Sequence, residues 1–208
     1  MLKADELPES WITVHRAMQG HFDRCLDVGL DATKDDPLAR WVGPGRDQRR
    51  RYMGYVLAQG FKKGRVILGQ PRAGVCVASQ VGRTWSPYVL WNRLRLLATL
   101  SAEQRARLRH VEAAVDEHAA AGALWVRCLA VRPKFRKKGL GSRLLRQAVG
   151  AAEDAPVLVH TVQKRLAQEI EGRGGEALDA LRIGENTGPL LLYRVAPRGL
   201  TRSLKAAA

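Results

Sequence analysis

Residues 124–149, LWVRCLAVRPKFRKKGLGSRLLRQAV, read in succession as an apolar strand, a short basic loop closed by glycines, and an amphipathic helix. Residues 124–131 are rich in Val, Leu and Trp, and Pro133, which cannot donate a ladder hydrogen bond, closes the run. From Ser142 onward Leu144, Leu145, Ala148, Val149 and Ala152 recur at helical spacing, so a helix begins close to Gly139 and Gly141. The first N–H groups of a helix have no internal partner and carry the positive end of its dipole. Glycines let an oxyanion approach those groups, and Arg136, Lys137 and Lys138 add full charges, so the junction suits a pyrophosphate.

Other phosphate loops fit less well. A Walker loop needs Gly-Lys-Ser/Thr after a four-residue spacer, and no such run occurs. A dinucleotide fingerprint needs a third glycine, where this chain has Leu144. Arg136-Lys137-Lys138-Gly139-Leu140-Gly141 instead resembles motif A of the GNAT acyltransferases, Arg/Gln-x-x-Gly-x-Gly/Ala. The preceding Leu129-Ala130-Val131-Arg132-Pro133 is similar to that family's Leu-x-Val-x-Pro strand end, and Leu144-Leu145 to its helix. The resemblance implies that acetyl-CoA is the cofactor. Its pyrophosphate would lie on Arg136, Lys137, Lys138, Gly139, Leu140, Gly141 and Ser142, and the strand around Leu129 and Val131 would offer backbone hydrogen bonds to the pantetheine arm.

The whole chain bounds the remaining choices. Its 208 residues suffice for one domain with a sizeable core, and 46% hydrophobic with 26% charged residues is an ordinary globular composition. No apolar run is long enough to span a bilayer, and the N-terminus MLKADELPES lacks the apolar centre of a signal peptide, so a cytoplasmic protein without membrane contact is expected. Cys25, Cys76 and Cys128 lie far apart, which indicates buried free thiols in place of a disulfide framework or zinc site. Lys and Arg number 35 against 20 Asp and Glu, a net charge of +15. Residues 119–152 contain no acid and eight of these bases, so the excess is concentrated at the inferred cofactor loop. No helix-turn-helix, zinc-finger or RNA-binding signature accompanies the charge, which sets nucleic acid aside as a main partner.

Taken in order, residues 11–14 read as a first strand, and Phe22, Leu26 and Leu30 mark one face of a helix. Asp36-Pro37 and Gly43-Pro44-Gly45 punctuate, and Tyr52, Met53, Val56 and Leu57 mark a second helix ending at Gly60. Residues 65–69 and 74–79 read as a hairpin, and the aromatic-rich stretch 85–91 leads into Leu94, Leu96 and Leu97. Ser101-Ala102-Glu103-Gln104 is a capping box that opens a helix running toward Gly122. After the cofactor stretch come a strand at 156–162, a helix at 163–171, and a terminal strand pair at 178–183 and 190–195. This order implies the α+β GNAT acyl-CoA N-acyltransferase fold, a mixed and mostly antiparallel central sheet flanked by helices. One domain is expected over 1–196, with a basic tail at 197–208, as a monomer or homodimer.

Asp36-Pro37, Trp85 and His118 are further similar to the puromycin N-acetyltransferase type, which implies a small amine acceptor such as an antibiotic or secondary metabolite. Acyl transfer to an amine needs a proton acceptor, oxyanion donors and an acid for the leaving thiolate. By the same resemblance His160, in His160-Thr161 at a strand end, is the expected general base, its intrinsic pKa suiting the task. Trp85, Tyr88 and Trp91 are the candidates for the acceptor pocket, as they leave the hairpin beside the expected cleft. His110, Glu112, Asp116, Glu117 and His118 share one helix without His-Glu-x-x-His order, which favours a solvated face and no metal. The family's usual Asn and Tyr after the fifth strand are absent; Tyr193 is the nearest tyrosine. Two alternatives therefore accompany the small-molecule N-acetyltransferase: a GNAT-shaped module that holds CoA without turnover, and acetylation of a protein or charged tRNA, suggested by Arg46 with Arg49, Arg50 and Arg51 and by the basic tail.

Overall fold

The computed structural model describes residues 13–82, 86–150, 155–183 and 188–196. Among these residues seven strands form one sheet: β1 (Val14–Arg16), β2 (Gly64–Gly69), β3 (Gly74–Gln80), β4 (Leu124–Val131), β5 (Val157–Thr161), β6 (Glu176–Leu181) and β7 (Leu190–Val195). Their order across the sheet is β1-β2-β3-β4-β5-β7-β6, and only β4 and β5 pair in parallel. The helices are α1 (Phe22–Ala32), α2 (Pro37–Val42), α3 (Arg46–Lys63), α4 (Pro87–Leu97), α5 (Ala102–His118), α6 (Leu140–Val149) and α7 (Lys164–Glu171).

The sheet has two covered faces. On one, Leu26, Val56, Leu96, Leu108 and Val115 from α1, α3, α4 and α5 pack with Val75, Val77, Trp125 and Leu158. On the other, Leu140, Leu144, Ala148 and Val149 of α6 and Ala167 and Ile170 of α7 pack on Cys76, Val126, Val159 and Tyr193. Glycine makes the second packing possible at the hairpin: a Cβ at Gly74 would stand 2.9 Å from both Ala130 O and Leu144 Cδ1.

The mixed, mostly antiparallel sheet agrees with the sequence, and β4 has the expected bounds. Several boundaries differ for physical reasons. The second expected helix does not stop at Gly60. A Cβ there would lie 2.5 Å from Val77 Cγ1, so Gly60 permits close helix–sheet contact in mid-helix, and α3 ends three residues later. Asp36-Pro37 is a helix start: Ala39 N–H donates to Asp36 Oδ1 at 2.8 Å, and proline takes the first helical turn. The aromatic stretch after the hairpin enters α4 at Pro87. Both halves of the Ser101–Gln104 capping box form, at 3.2 and 2.9 Å, although α5 closes at His118, short of Gly122. Residues 11 and 12, Trp85 and the tail 197–208 lie outside the described residues. Among the described residues no helix is long and apolar enough to cross a membrane. Cys25 and Cys76 are fully buried and Cys128 partly so; all are unpaired, and burial pushes the Cys25 and Cys128 thiols up to about 12.

Candidate active site

The strand-loop-helix stretch is fixed from within. Phe135, buried on the α6 side, anchors a 3₁₀ turn at Pro133–Phe135, and Arg136 turns back so that its Nε donates to Val131 O at 3.0 Å and its Nη2 to Ala32 O at 3.2 Å. Lys137 (φ 63°) and Gly139 (φ 66°) adopt left-handed backbone, which folds successive N–H groups toward one side. The first α6 hydrogen bond runs from Arg143 N–H to Gly139 O, so the amides of Leu140, Gly141 and Ser142 precede the helix ladder. These residues line a groove of about 600 Å³, with Val131 on the β4 side and, opposite, Gln163 capping α7 and Arg165, Leu166 and Glu169 within it. A Cβ at Gly139 would meet nothing within 4 Å, and one at Gly141 only Val131 Cγ2 at 3.7 Å, so space stands open in front of both amides. The residues therefore fit a pyrophosphate. Of the cofactor residues expected from sequence, Val131, Arg136, Lys137, Gly139, Leu140, Gly141 and Ser142 line the groove, while Leu129 and Lys138 do not.

β4 and β5 pair only over 124–126 and 157–159 and then part. A bulge helps to set the parting strand: Val77 faces Cys128 and Ala78 faces Val126, so Arg127 is the extra residue. Arg127 and Trp125 therefore turn to the sheet face away from α6, where they floor a second cavity of about 600 Å³. Its walls are Tyr55 and Gln59 of α3, Val89, Leu90, Arg93, Leu94 and Leu97 of α4, and Glu112 and Asp116 of α5.

Tyr88 and Trp91, expected in an acceptor pocket, do not line this cavity. Tyr88 packs edge-on against Phe22 at 6.3 Å, and Trp91 is 60% exposed. The face of α4 toward the cavity carries positions 86, 89, 90, 93, 94 and 97 instead, one helical stripe that excludes 88 and 91. Glu112 also departs from expectation. It is half-buried, accepts from Tyr55 Oη at 2.8 Å and pairs with Arg93 at 3.0 Å, and so belongs to the cavity wall and not to a solvated face. Among the described residues no cluster of His, Cys, Asp and Glu could hold a metal.

His160 lies at the parting of the strands, with its ring 5.7 Å from that of Trp125. Trp125 Nε1–H donates to His160 Nδ1 at 2.9 Å, and burial, assisted by the charge of Arg127, pushes the His160 pKa down to about 4. The imidazole is therefore neutral at pH 7, with its only lone pair engaged by the indole. Between pH 6.5 and about 4 the unfolded chain protonates this histidine while the folded chain does not. Stability should thus fall as pH drops through that window and be regained above it, by on the order of 3 kcal/mol. Urea denaturation between pH 4 and 7 should show a shallower slope for His160→Gln; an unchanged slope would mean that the imidazole titrates freely. Tyr193 is buried and donates to Glu171 Oε1 at 2.7 Å, which with burial raises its pKa to about 12. It does not present a free hydroxyl to the groove.

Comparison with known proteins agrees with the fold. Residues 90–167 match the sequence model of the Acetyltransferase (GNAT) family. None of the curated proteins matches the chain. Among solved structures, "histone acetyltransferase HPA2 and related acetyltransferase" from Corynebacterium glutamicum superposes with a TM-score of 0.64 at 21% identity, covering 89% of this chain and 96% of that one. A polyamine N-acetyltransferase of Drosophila melanogaster gives 0.63 at 17% identity, over 89% and 99%. Arylalkylamine N-acetyltransferase 2 of Aedes aegypti gives 0.64 at 13%, over 90% and 99%. At these identities the likeness to solved structures is one of fold. Residues 90–167 thus carry the sequence pattern of the Acetyltransferase (GNAT) family, and over most of its length the chain has the fold of these acetyltransferase structures.

Proposed function

We propose that the protein is an acetyl-CoA-dependent N-acetyltransferase of a small amine, with the cofactor in the α6 groove and the acceptor in the cavity under α4 and α5. The parting of β4 and β5 carries this proposal. The unpaired half of β4 gives Val131 to the groove on one face and Arg127 to the cavity on the other, so donor and acceptor would meet through the gap in the ladder. The left-handed Lys137 and Gly139 and the first amides of α6 would hold the pyrophosphate, and the β5-facing edge of β4 would offer N–H and C=O groups to the pantetheine amides. When bound, acetyl-CoA supplies the thioester.

His160 serves in this site as the partner that fixes Trp125. A pKa of about 4 and an engaged Nδ1 leave it little affinity for an ammonium proton at neutral pH, so that proton leaves to water through the cavity mouth. His160→Gln keeps an acceptor for the indole and should retain most turnover with unchanged CoA affinity; a hundredfold fall in kcat would return the base role to His160. The function itself is tested by calorimetry with CoA and by thiol release from acetyl-CoA against a panel of amines. Saturable binding with amine-dependent release supports transfer. Binding without release for any amine would leave a CoA-holding module, and absence of binding would sink both.

A further inference from the structure

The acceptor cavity contains a charge that the transfer chemistry above leaves unused. Arg127 stands at the β4 bulge, in the middle of an otherwise apolar strand. Its Nε–H donates to Ser79 Oγ at 2.7 Å, and its guanidinium carbon lies 3.9 Å from the centre of the Trp125 ring. Trp125 is in turn held by His160, so Ser79, Arg127, Trp125 and His160 form one row across β3, β4 and β5. These contacts fix the plane of the guanidinium and leave its terminal nitrogens as the part not engaged by Ser79, on a residue that lines the cavity. Among the described residues no carboxylate lies within 4 Å of it. Glu112, the half-buried acid of the same cavity, is already shared between Tyr55 and Arg93, and Asp116 is at the exposed rim. A guanidinium does not shed its charge, and one withdrawn from water with its plane fixed has the geometry to receive a planar oxyanion.

We propose that Arg127 binds a carboxylate of the acceptor, so that the preferred substrate is an amine that also carries a carboxylate, an amino-acid-type acceptor and not a simple alkylamine or polyamine. The substrate class rests on the acetyltransferase function proposed above; the anion site does not. With Arg93 committed to Glu112 and Arg109 exposed at the rim, Arg127 is the cationic floor of a cavity whose wall along α4 is largely apolar, which suits a carboxylate at the floor and an apolar side chain along Val89, Leu90 and Leu94.

Matched pairs that differ only in the carboxylate test this: phenylalanine against phenethylamine, tryptophan against tryptamine, histidine against histamine, and arginine against agmatine. In the thiol-release assay the acid of the best pair should exceed its amine in kcat/KM by roughly 10- to 100-fold. Arg127→Met should bring that ratio to about one through the KM of the acid, and Arg127→Lys, which keeps the charge but loses the fork, should fall between. Unchanged CoA affinity by calorimetry shows that both variants are folded. If no pair is turned over, thermal shift at saturating CoA scores the same pairs. Stabilisation by the acids alone, lost in Arg127→Met, supports the anion site and sinks only the transferase function. Equal response to acids and amines, a preference for the amines, or a ratio unchanged in Arg127→Met overturns the proposal. So does a preference for O-phosphoethanolamine over every carboxylate.

Discussion

Replacing Gly139 with valine is expected to weaken CoA binding by roughly a hundredfold or more while leaving the chain folded. Two effects add. At φ 66° a β-branched residue is strained, so the turn relaxes and the amides of Leu140 and Gly141 lose their common direction. The new side chain also occupies the open space in front of α6, where the backbone now has nothing within 4 Å. Gly141→Ala separates the two effects. Its backbone is not left-handed, and its Cβ would make only an ordinary 3.7 Å contact with Val131 Cγ2, so the protein alone should tolerate it. Any loss of affinity then reports the approach of the phosphate. Calorimetry on both variants, with thermal denaturation as the control, decides; wild-type affinity in Gly139→Val would place the pyrophosphate elsewhere.

The largest effect on stability is expected at Gly64, where α3 gives way to β2. A Cβ there would stand 2.0 Å from Ala78 O and 2.6 Å from Ser79 Cα, both backbone atoms of the paired strand β3. No rotamer relieves that contact, so Gly64→Ala must push β2 from β3 and should cost about 4 kcal/mol. Gly20 is the control: its Cβ would meet nothing within 4 Å, and Gly20→Ala should change stability by less than about 0.5 kcal/mol. Urea denaturation measures both. A cost below about 1 kcal/mol at Gly64 would mean that the junction is looser than this backbone.

The frame was legible where one local signal had one structural meaning. The apolar run closed by Pro133 is β4, the Leu144–Leu145 spacing is the buried face of α6, and the Ser101 box opens α5. The groove at the start of α6 was legible for the same reason, since most of its lining is contiguous in sequence. The cavity under α4 and α5 was not. Its lining comes from α3, α4, α5 and β4, and no local pattern tells which stripe of α4 faces inward, so the aromatic residues Tyr88 and Trp91 stood out while Val89, Leu90 and Arg93 line the wall. Arg127 did leave a mark, as a charge inside an apolar strand. Its meaning depended on Ser79, which is 48 residues away in sequence. His160 stands where β4 and β5 part, but its protonation is set by burial and by the charge of Arg127, and its Nδ1 accepts from the indole of Trp125 on the neighbouring strand.

The bulge at Arg127 makes β4 a strand written in two reading frames. Before it Trp125 faces α3 and α4 and Val126 faces α6; after it Cys128 and Ala130 take the α3 and α4 side, and Leu129 and Val131 the α6 side. Strict alternation would have sent Leu129 and Val131 the other way. Deleting Arg127 alone would restore strict alternation and leave Cys128, Leu129, Ala130 and Val131 on the faces they already hold. The arginine is therefore a residue that the strand's frame does not need, an insertion that adds a charge to the cavity floor without disturbing the side chains beyond it.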